Sequence, residues 1–481
     1  MIERVRNESL LTKIMTAEEA SLMISTGMRL GFSGFTSVGY PKKFPMALAK
    51  RAENEDCFKV SVITGASVGD ELDGSLTRAN AVDRRYPYQS NKSMRDAINS
   101  GKVSYVDMHL SQVPYWIKHN YFGRIDFAVV EAAAIDERGN IIPTLSVGCA
   151  DTLVQYADKV IVEINTCIPD TIEGIHDIYS SEKIPNTKPI PIERPNDRVG
   201  TTYIPCTPDR IAAIVICDIP DGNNELKAAD ENMQKIAEHL IRFLHEEVDA
   251  GRMPLPLPPI QSGVGGVANA VLSCLEKSDF DNLTIYTEVM QDAVIKLIKT
   301  GKVKSASGTA LTVSPSKKSE LYNELPSLSD TIVIRPEEIS NSPEIIRRLG
   351  VIAINTALEV DLSGNVNSTH VNGNIIMNGI GGSGDFARNA GLTIFTTVST
   401  VKDGKLSCVV PYVSHVDHTE HDVDVIITEQ GIADLRGLTA YERAVKIIEQ
   451  CAHPIYRAML REYLAQVSEV GNYGHGIPML K

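Results

Sequence analysis

Short apolar runs rich in β-branched residues recur along the chain, and helical or glycine-rich segments separate them. This alternation predicts α/β structure with largely parallel sheets. The runs are apolar almost throughout, instead of alternating with polar residues, which indicates strands covered on both faces. They comprise residues 59–65, 126–132, 158–164 and 212–218 in the first half, and 283–288, 350–358, 392–398 and 424–430 in the second.

The order of these elements repeats between the two halves of the chain. Residues 28–72 and 253–294 both predict a strand, a glycine-rich loop, a helix, a strand and a loop. Such self-similarity is the mark of an internal duplication. A Pro, Gly and Asn cluster at 218–230 leads into an amphipathic helix and marks the junction. We predict two similar α/β domains, residues 1–222 and 223–481.

One carboxylate stands where a buried strand ends. The strand is predicted over residues 283–286, running straight into a helix, and Glu288 follows it. In an open α/β sheet such a position faces the ligand crevice. The alternative is a glutamate that stabilises a helix N-terminus, an effect of at most about 1 kcal/mol. The aligned first half has Ala66 at this point, although Asp70 and Asp292 match, which favours a functional role for Glu288.

Two glycine clusters indicate backbone amides presented to a ligand. The first, at 261–271, contains Gly263, Gly265 and Gly266 and enters a helix, whose N-terminus favours negative charge. A tight strand-to-helix turn would need the same glycines. The second spans 378–390, with Asp385 and Arg388 behind it. With Glu288, the two loops make an oxyanion-hole arrangement conceivable.

Three histidines at three-residue spacing look like metal ligands. His415, His418 and His421 are interleaved with Asp417 and Glu420, but the pattern is not a known zinc motif. We expect structural or supporting histidines and no metal site.

Composition and charge exclude several classes of function. The 481 residues are 43% apolar and 22% charged, which is ordinary for a globular protein. The net charge of −14 and the lack of a basic block argue against nucleic-acid binding. Eight scattered cysteines without a CxxC pair indicate reduced thiols. We found no signal-peptide pattern and no apolar run of membrane-spanning length. We therefore expect a cytoplasmic protein.

Long, ordered strings carry a resemblance to a known family. They include "YTEVMQD" at 286–292, "EISNSPE" at 338–344, "MNGIGGSGDFARNA" at 377–390 and "SHVDHTEHDVDVIITEQGIADLRG" at 414–437. With them the chain resembles the class I CoA-transferases, in particular the acetyl-CoA hydrolase/transferase family and its succinyl-CoA:acetate branch. One departure is Gly266, where the pattern has Asn or Ser.

The resemblance implies a homodimer of two-domain α/β subunits with CoA bound at the cleft. It makes Glu288 the catalytic glutamate, which becomes a glutamyl-CoA thioester. Val264 and Gly382 match the oxyanion-hole positions, Asn341 a carboxylate-site residue and Glu429 an active-site acid. The positions that match CoA contacts are Gly263, Val264, Gly265, Gly266, Val267, Asn378, Gly382 and Lys402.

The implied activity is transfer of CoA between a short-chain acyl-CoA, succinyl-CoA or acetyl-CoA, and a free carboxylate, acetate or succinate. CoA is then a substrate, and no metal or redox cofactor is needed. An acyl-CoA hydrolase, or a CoA-transferase for propionate, butyrate or 4-hydroxybutyrate, would carry the same residues. A nucleotide-binding regulatory protein without chemistry is the alternative from a different class.

Overall fold

Two extended β-sheets organise the molecule. The computed structural model describes residues 2–223, 225, 229–263 and 265–470. The first sheet has seven parallel strands in the order β4-β3-β2-β1-β5-β6-β7. Its strands are β1 (Arg29–Thr36), β2 (Val60–Ser67), β3 (Val82–Tyr86), β4 (Ser104–Tyr105), β5 (Phe127–Ala132), β6 (Lys159–Asn165) and β7 (Ile211–Cys217).

The second sheet has eight strands in the order β11-β10-β9-β8-β12-β13-β14-β15. All neighbours are parallel except the last pair, which is an antiparallel hairpin. The strands are β8 (Ile260–Ser262), β9 (Leu283–Tyr286), β10 (Val303–Gly308), β11 (Ile332–Ile334), β12 (Ile352–Thr356), β13 (Leu392–Thr396), β14 (Val425–Thr428) and β15 (Gly431–Asp434).

The seven parallel strands follow one another in the same order in both sheets. Each strand from β8 to β14 takes the place of the strand numbered seven lower, from β1 to β7. This is the topology that a duplicated α/β unit produces, and the α/β fold class with mostly parallel sheets is confirmed. The domain boundary between residues 222 and 223 stays a prediction.

Fifteen α-helices of the described residues surround the sheets. In the first half these are α1 (Ala17–Ser21), α2 (Lys43–Ala52), α3 (Ser75–Arg78), α4 (Lys92–Asn99), α5 (Gln112–Lys118) and α6 (Ala150–Tyr156). In the second half they are α7 (Glu231–Asp249), α8 (Gly266–Lys277), α9 (Asp292–Lys299), α10 (Lys318–Leu328), α11 (Glu337–Ser340), α12 (Pro343–Leu349), α13 (Ser383–Ala387), α14 (Ala440–Gln450) and α15 (Pro454–Val470).

The central strands are buried on both faces. Every residue of β5, β13 and β14 is buried, including those that point to opposite sides of the sheet. Helices therefore cover both faces, as the continuous apolar runs predict. Within the described ranges, no helix combines the length and apolar content needed to cross a bilayer.

Each sheet has a point where the strand order reverses direction. From β1 the chain adds β2, β3 and β4 on one side and β5 to β7 on the other, and from β8 it does the same. Open α/β sheets bind ligands at the carboxyl ends of the strands beside such a point. A ligand site is therefore expected at the carboxyl ends of β1, β2, β8, β9 and β12.

The prediction that β9 runs straight into a helix is wrong in one detail. A two-residue strand, Val289–Met290, follows first and pairs with Ala310–Leu311 in a small separate sheet. The helix α9 begins only at Asp292. Glu288 consequently lies between two strands and not in a helical turn.

Candidate active site

The backbone around Glu288 is fixed by the neighbouring strand β10. The Thr287 N–H donates to the Ser307 carbonyl at 2.9 Å. The Glu288 carbonyl accepts hydrogen bonds from the N–H groups of Thr309 at 2.8 Å and Ala310 at 3.1 Å. These bonds hold the residue, which is half-buried, at the end of the sheet.

The Glu288 carboxyl group bonds to a side chain and does not cap a helix. Its Oε1 accepts a hydrogen bond from Asn341 Nδ2 at 2.9 Å. The residue in front of α9 is Gln291, which makes no side-chain capping bond. Burial raises the pKa of Glu288 to about 7, partly opposed by the Asn341 hydrogen bond, while the nearby Asp385 carboxylate raises it further. The carboxyl group can therefore ionise near neutral pH and is a stronger nucleophile than an ordinary glutamate.

Asn341 links half-buried Glu288 to the buried carboxyl group of Asp385. Its Nδ2 also donates to Asp385 Oδ2 at 3.3 Å, and its Oδ1 accepts from Ser340 Oγ at 2.8 Å. Asp385 in turn accepts bonds from the Ser111 N–H at 3.0 Å and from Ser111 Oγ at 2.5 Å. Because Ser111 belongs to the first half of the chain, this network ties both halves to Glu288.

The second glycine cluster packs directly against Glu288. A Cβ atom built on Gly382 would overlap the Glu288 carboxylate and the Asn341 amide. The loop before it is held by the first half, because the Ile380 N–H donates to the Asp107 carboxylate at 3.0 and 3.1 Å. Position 382 therefore admits no side chain while Glu288 stays where it is.

A cavity of about 210 Å³ opens beside these groups. It is smaller than the roughly 300–1,000 Å³ of sites for drug-sized ligands. Residues from the carboxyl ends of central strands in both sheets line it together with the second glycine cluster. They are Phe35, Thr36, Ala66, Tyr88, Leu110, Ser262, Gly263, Glu288, Val289, Asn355, Thr356, Ser368, Asn378, Gly379, Ile380, Gly381, Gly382 and Ser383. A larger cavity of about 550 Å³ lies between α8, α9 and α10, and none of the predicted site residues lines it.

Two family models match the chain in order. The N-terminal domain of acetyl-CoA hydrolase/transferase covers residues 1–216, and the C-terminal domain of the same family covers residues 318–464. The chain belongs to the acetyl-CoA hydrolase/transferase family. The resemblance in the sequence is thereby confirmed.

Relatives in this family carry several activities. A succinyl-CoA:acetate CoA-transferase of Clostridium kluyveri is 52% identical over 99% of this chain and 89% of its own length. A propanoyl-CoA:succinate CoA transferase of Escherichia coli is 46% identical over 94% of this chain and 92% of its own length. An acetyl-CoA hydrolase of Neurospora crassa is 42% identical, covering 96% of this chain and 90% of its own length.

Solved structures share the fold at lower identity. RipA from Yersinia pestis has a TM-score of 0.72 at 24% identity, and the match covers 94% of this chain and 97% of that one. A 4-hydroxybutyrate CoA-transferase from Porphyromonas gingivalis has a TM-score of 0.66 at 21% identity, covering 95% and 98%. The two-sheet architecture is therefore common to these proteins.

The structure gathers part of the predicted site of this family member. Glu288, Gly263, Asn378 and Gly382 line the 210 Å³ cavity, and Asn341 contacts Glu288. Gly265, Gly266 and Val267 lie at the start of α8 beyond Gly263. Val264 lies outside the described residues. The functional roles of all these residues stay predictions.

Gly266, the one departure from the family pattern, packs against a neighbouring helix. A Cβ atom at this position would meet Met233 Sδ at 2.5 Å and Met233 Cε at 2.9 Å. Met233 lies in α7, so the methionine side chain fills the room that Asn or Ser would need. A larger residue at position 266 would require the end of the Met233 side chain to move.

Two predicted residues lie away from the cavity lining. Lys402 is exposed in the turn between the short strands Thr400–Val401 and Leu406–Ser407. Glu429 follows β14, where its Oε2 accepts from the Ser399 N–H at 2.8 Å and its Oε1 accepts from Gln430 Nε2 at 3.0 Å. Although burial opposes it, hydrogen bonding from Ser399 and Gln430 keeps the pKa of Glu429 below its ordinary value. Glu429 is therefore an anion held in place by these hydrogen bonds.

The three histidines of the run have different surroundings. His418 is buried, with Nε2 3.1 Å from Ser383 Oγ, and burial lowers its pKa to about 4. His421 is exposed, and its Nε2 lies 3.7 Å from Glu420. His415 faces His370, with ring centroids 3.8 Å apart. The run is therefore not one ligand set.

The sequence did not assign roles to Asp385 and Ser111. Asp385 was visible behind the second glycine cluster, but its partner lies 274 positions away in the chain. The string "DMHLSQ" that contains Ser111 belongs to the family resemblance. Nothing in that string indicates that Ser111 hydrogen-bonds to Asp385 and through it to Asn341.

Proposed function

We propose that this protein transfers CoA between a short-chain acyl-CoA, succinyl-CoA or acetyl-CoA, and a free carboxylate, acetate or succinate. The observation that carries the proposal is the Glu288 carboxyl group, with a pKa of about 7, beside Gly382 at a small cavity. The relative from Clostridium kluyveri, named for succinyl-CoA and acetate, supports the choice of substrates. The cavity volume suits a short acyl group.

Glu288 acts as a covalent nucleophile in this proposal. Its carboxylate attacks the thioester carbonyl, and the C–S bond breaks to give a mixed anhydride and the CoA thiolate. The thiolate then attacks the glutamyl carbonyl, which forms a glutamyl-CoA thioester and releases the first carboxylate. The second acid repeats these steps in reverse. Covalent catalysis divides one difficult exchange into easier ones.

Each step passes through a tetrahedral intermediate whose oxygen carries negative charge. We assign the Gly382 and Val264 N–H groups to stabilise it, on the family resemblance. Removing one such donor typically costs about 100- to 1,000-fold in rate. Asn341 orients the Glu288 carboxylate through its 2.9 Å hydrogen bond. Gly263 to Val267, Asn378 and Lys402 are proposed to contact CoA.

The second candidate is an acyl-CoA hydrolase. Relatives named acetyl-CoA hydrolase are 39% to 42% identical to this chain. The same chemistry would hydrolyse if water reached the anhydride or the glutamyl thioester. A CoA-transferase for propionate, butyrate or 4-hydroxybutyrate would bind an acyl group that differs by one or two methylenes or a hydroxyl. A methylene changes the binding free energy in a pocket by only about 1 to 3 kcal/mol.

The experiment that tests the proposal is a matrix of acyl-CoA donors against carboxylate acceptors. Acyl-CoA products are separated by chromatography, and free thiol is measured in parallel. We expect acceptor-dependent formation of the new acyl-CoA, little free thiol, and initial rates with the parallel-line pattern of a ping-pong mechanism. Thiol release at the same rate with and without acceptor would identify a hydrolase, and no turnover of any donor would contradict both candidates.

No metal or redox cofactor takes part in the proposed chemistry. Carboxylate attack on a thioester needs no Lewis acid, so we expect turnover to survive extensive dialysis against EDTA. Transferase activity measured before and after dialysis checks this. Activity that is lost on dialysis and returns on addition of Zn²⁺ would contradict it.

The pH dependence of turnover should move when Asn341 is replaced. Glu288 must be ionised to attack, so kcat/KM rises with pH through the Glu288 pKa, which is about 7. Asn341→Ala removes the donor that lowers this pKa. A hydrogen bond to a charged group is worth about 1.5 to 3 kcal/mol, so the acid limb should move upward by about one to two pH units.

Asn389→Ala is the matched control for this measurement. Asn389 Nδ2 donates to the Asp385 backbone carbonyl at 2.8 Å and has no recorded bond to Glu288. The control should keep the wild-type pH limb. An unmoved limb in Asn341→Ala would show that Asn341 does not set the ionisation of Glu288.

The assembly and the location of the protein are proposed from the family resemblance and the thiols. We propose a homodimer, which sedimentation of the purified protein tests. All eight cysteines are free, which supports a reducing compartment such as the cytoplasm. Fractionation of the source cells would test the location.

A further inference from the structure

Outside the cavity lining, two histidines and an aspartate form a compact cluster. His370 begins a short strand, His370–Val371, and His415 and Asp417 lie in the segment before β14. One nitrogen of each imidazole and one oxygen of Asp417 all lie within 4.8 Å of one another. The histidine run pointed to this region, but His370 is distant from the run in the sequence.

The geometry points to a metal site, and we propose that His370, His415 and Asp417 bind one divalent ion of the zinc type. His415 Nε2 and Asp417 Oδ1 are 3.4 Å apart. Two ligands about 2.1 Å from a tetrahedral ion are separated by about this distance. The His370 and His415 rings, whose centroids are 3.8 Å apart, would separate when both bind the ion. Two imidazoles and one carboxylate are donors that zinc accepts, and a water molecule would complete the fourth position.

The neighbours of the cluster orient two of its ligands. Asp417 is 3% exposed and accepts bonds from the Ser368 N–H at 2.6 Å and from Thr369 Oγ1 at 2.8 and 2.9 Å. Thr369 Oγ1 also lies 2.6 Å from His370 Nδ1. A hydroxyl group has one proton, so if Thr369 donates to Asp417, then His370 Nδ1 must donate to Thr369. His370 Nε2 then carries the lone pair that a metal needs.

Metal sites are commonly built with such supporting hydrogen bonds. A partner that fixes the tautomer of a histidine ligand and holds a carboxylate ligand typically contributes 10- to 100-fold to metal affinity. The Thr369 hydroxyl does both in the arrangement in which it donates to Asp417. His415 supplies the accessible side of the site, because its side chain is 40% exposed and an ion can enter from solvent.

The site is separate from the proposed chemistry. His370, His415 and Asp417 do not line the 210 Å³ cavity, although Ser368, which bonds to Asp417, does. A bound ion would add to the hydrogen bonds that already join the segment at 366–371 to the segment at 413–418, and would stiffen one wall of the cavity. We expect the ion to stabilise the fold, and turnover does not depend on it.

The test is Zn²⁺ binding to the full chain after removal of metals with EDTA. Competition with a chromophoric chelator should give one saturable site per chain. His415→Ala should weaken the affinity at least 10-fold, and Thr369→Val should weaken it 10- to 100-fold. Zn²⁺ should also raise the Tm of the wild type as its concentration increases, because only the folded state has the site.

His421→Ala is the matched control, since this exposed histidine belongs to the same run but is not a member of the cluster. It should bind Zn²⁺ and gain Tm as the wild type does. His415→Ala changes a partly exposed side chain, and the folding of the variant can be verified without metal by its transferase activity. Equal Zn²⁺ affinity in His415→Ala and the wild type, or no saturable site in the wild type, would overturn the proposal.

Discussion

Replacing Glu288 by alanine should reduce CoA transfer by on the order of 10⁴-fold or more, since the variant has no group to form the covalent intermediate. The fold should be unaffected. Glu288 is a carboxyl group that burial disfavours in its ionised form, and it makes one side-chain hydrogen bond, to Asn341. Thermal unfolding should therefore show a Tm equal to or above that of the wild type, and CoA binding should persist.

Glu288→Asp tests whether the position of the carboxylate matters in addition to its presence. It keeps the carboxylate but withdraws it by about 1 Å, and a misplacement of that size can cost on the order of 100-fold. A role limited to stabilising a helix terminus predicts the opposite for both variants: a loss of at most about 1 kcal/mol of stability and full activity. An active Glu288→Ala enzyme would contradict the proposed function.

The covalent intermediate should be directly visible. Wild-type enzyme incubated with succinyl-CoA or acetyl-CoA without acceptor should carry CoA on the peptide that contains residues 283–292. Added acetate or succinate should remove the label, and mass spectrometry of the digested protein measures both. A label on a peptide that lacks Glu288 would reject this residue as the nucleophile, even if ping-pong kinetics were observed.

The fold was predictable from the sequence because its signals are local. Strand β9 has the predicted bounds, Leu283–Tyr286. A short apolar run with β-branched residues favours a buried strand. The repeat of element order between the halves appears again as one strand order in both sheets. The small strand Val289–Met290 was missed, because two residues carry no periodic signal and the residues they pair with, Ala310 and Leu311, lie 21 positions further on.

The candidate site was predictable only where a residue follows a strand or lies within a glycine-rich loop. Glu288 and Gly382 satisfy that condition. The bridge from Asn341 through Asp385 to Ser111 does not, because it joins loops whose approach depends on how the two halves pack. The same is true of His370 and His415, which face each other across 45 positions. Contacts of this kind depend on how distant segments of the chain come together in the fold, and no local sequence pattern indicates them.

Gly382 should be the second position at which substitution eliminates most of the activity. Its backbone angles, φ −95° and ψ 0°, are accessible to alanine, so Gly382→Ala introduces no backbone strain. The new Cβ would nevertheless overlap the Glu288 carboxylate and the Asn341 amide. We expect the carboxylate to move by about 1 Å and kcat to fall about 100-fold or more. Gly382→Pro also deletes an N–H donor, which typically costs a further 100- to 1,000-fold.

Gly381→Ala is the control that separates this overlap from general damage to the loop. Gly381 has a φ of +59°, so alanine is strained there, but its Cβ would meet Tyr88 at an ordinary 3.5 Å and would not touch Glu288. This control should lose stability and keep most of its kcat, whereas Gly382→Ala should keep its Tm and lose kcat. Steady-state kinetics and thermal unfolding of both variants decide between these outcomes. A folded Gly382→Ala enzyme with wild-type turnover would show that the Glu288 carboxylate reacts from a position other than the one beside Gly382.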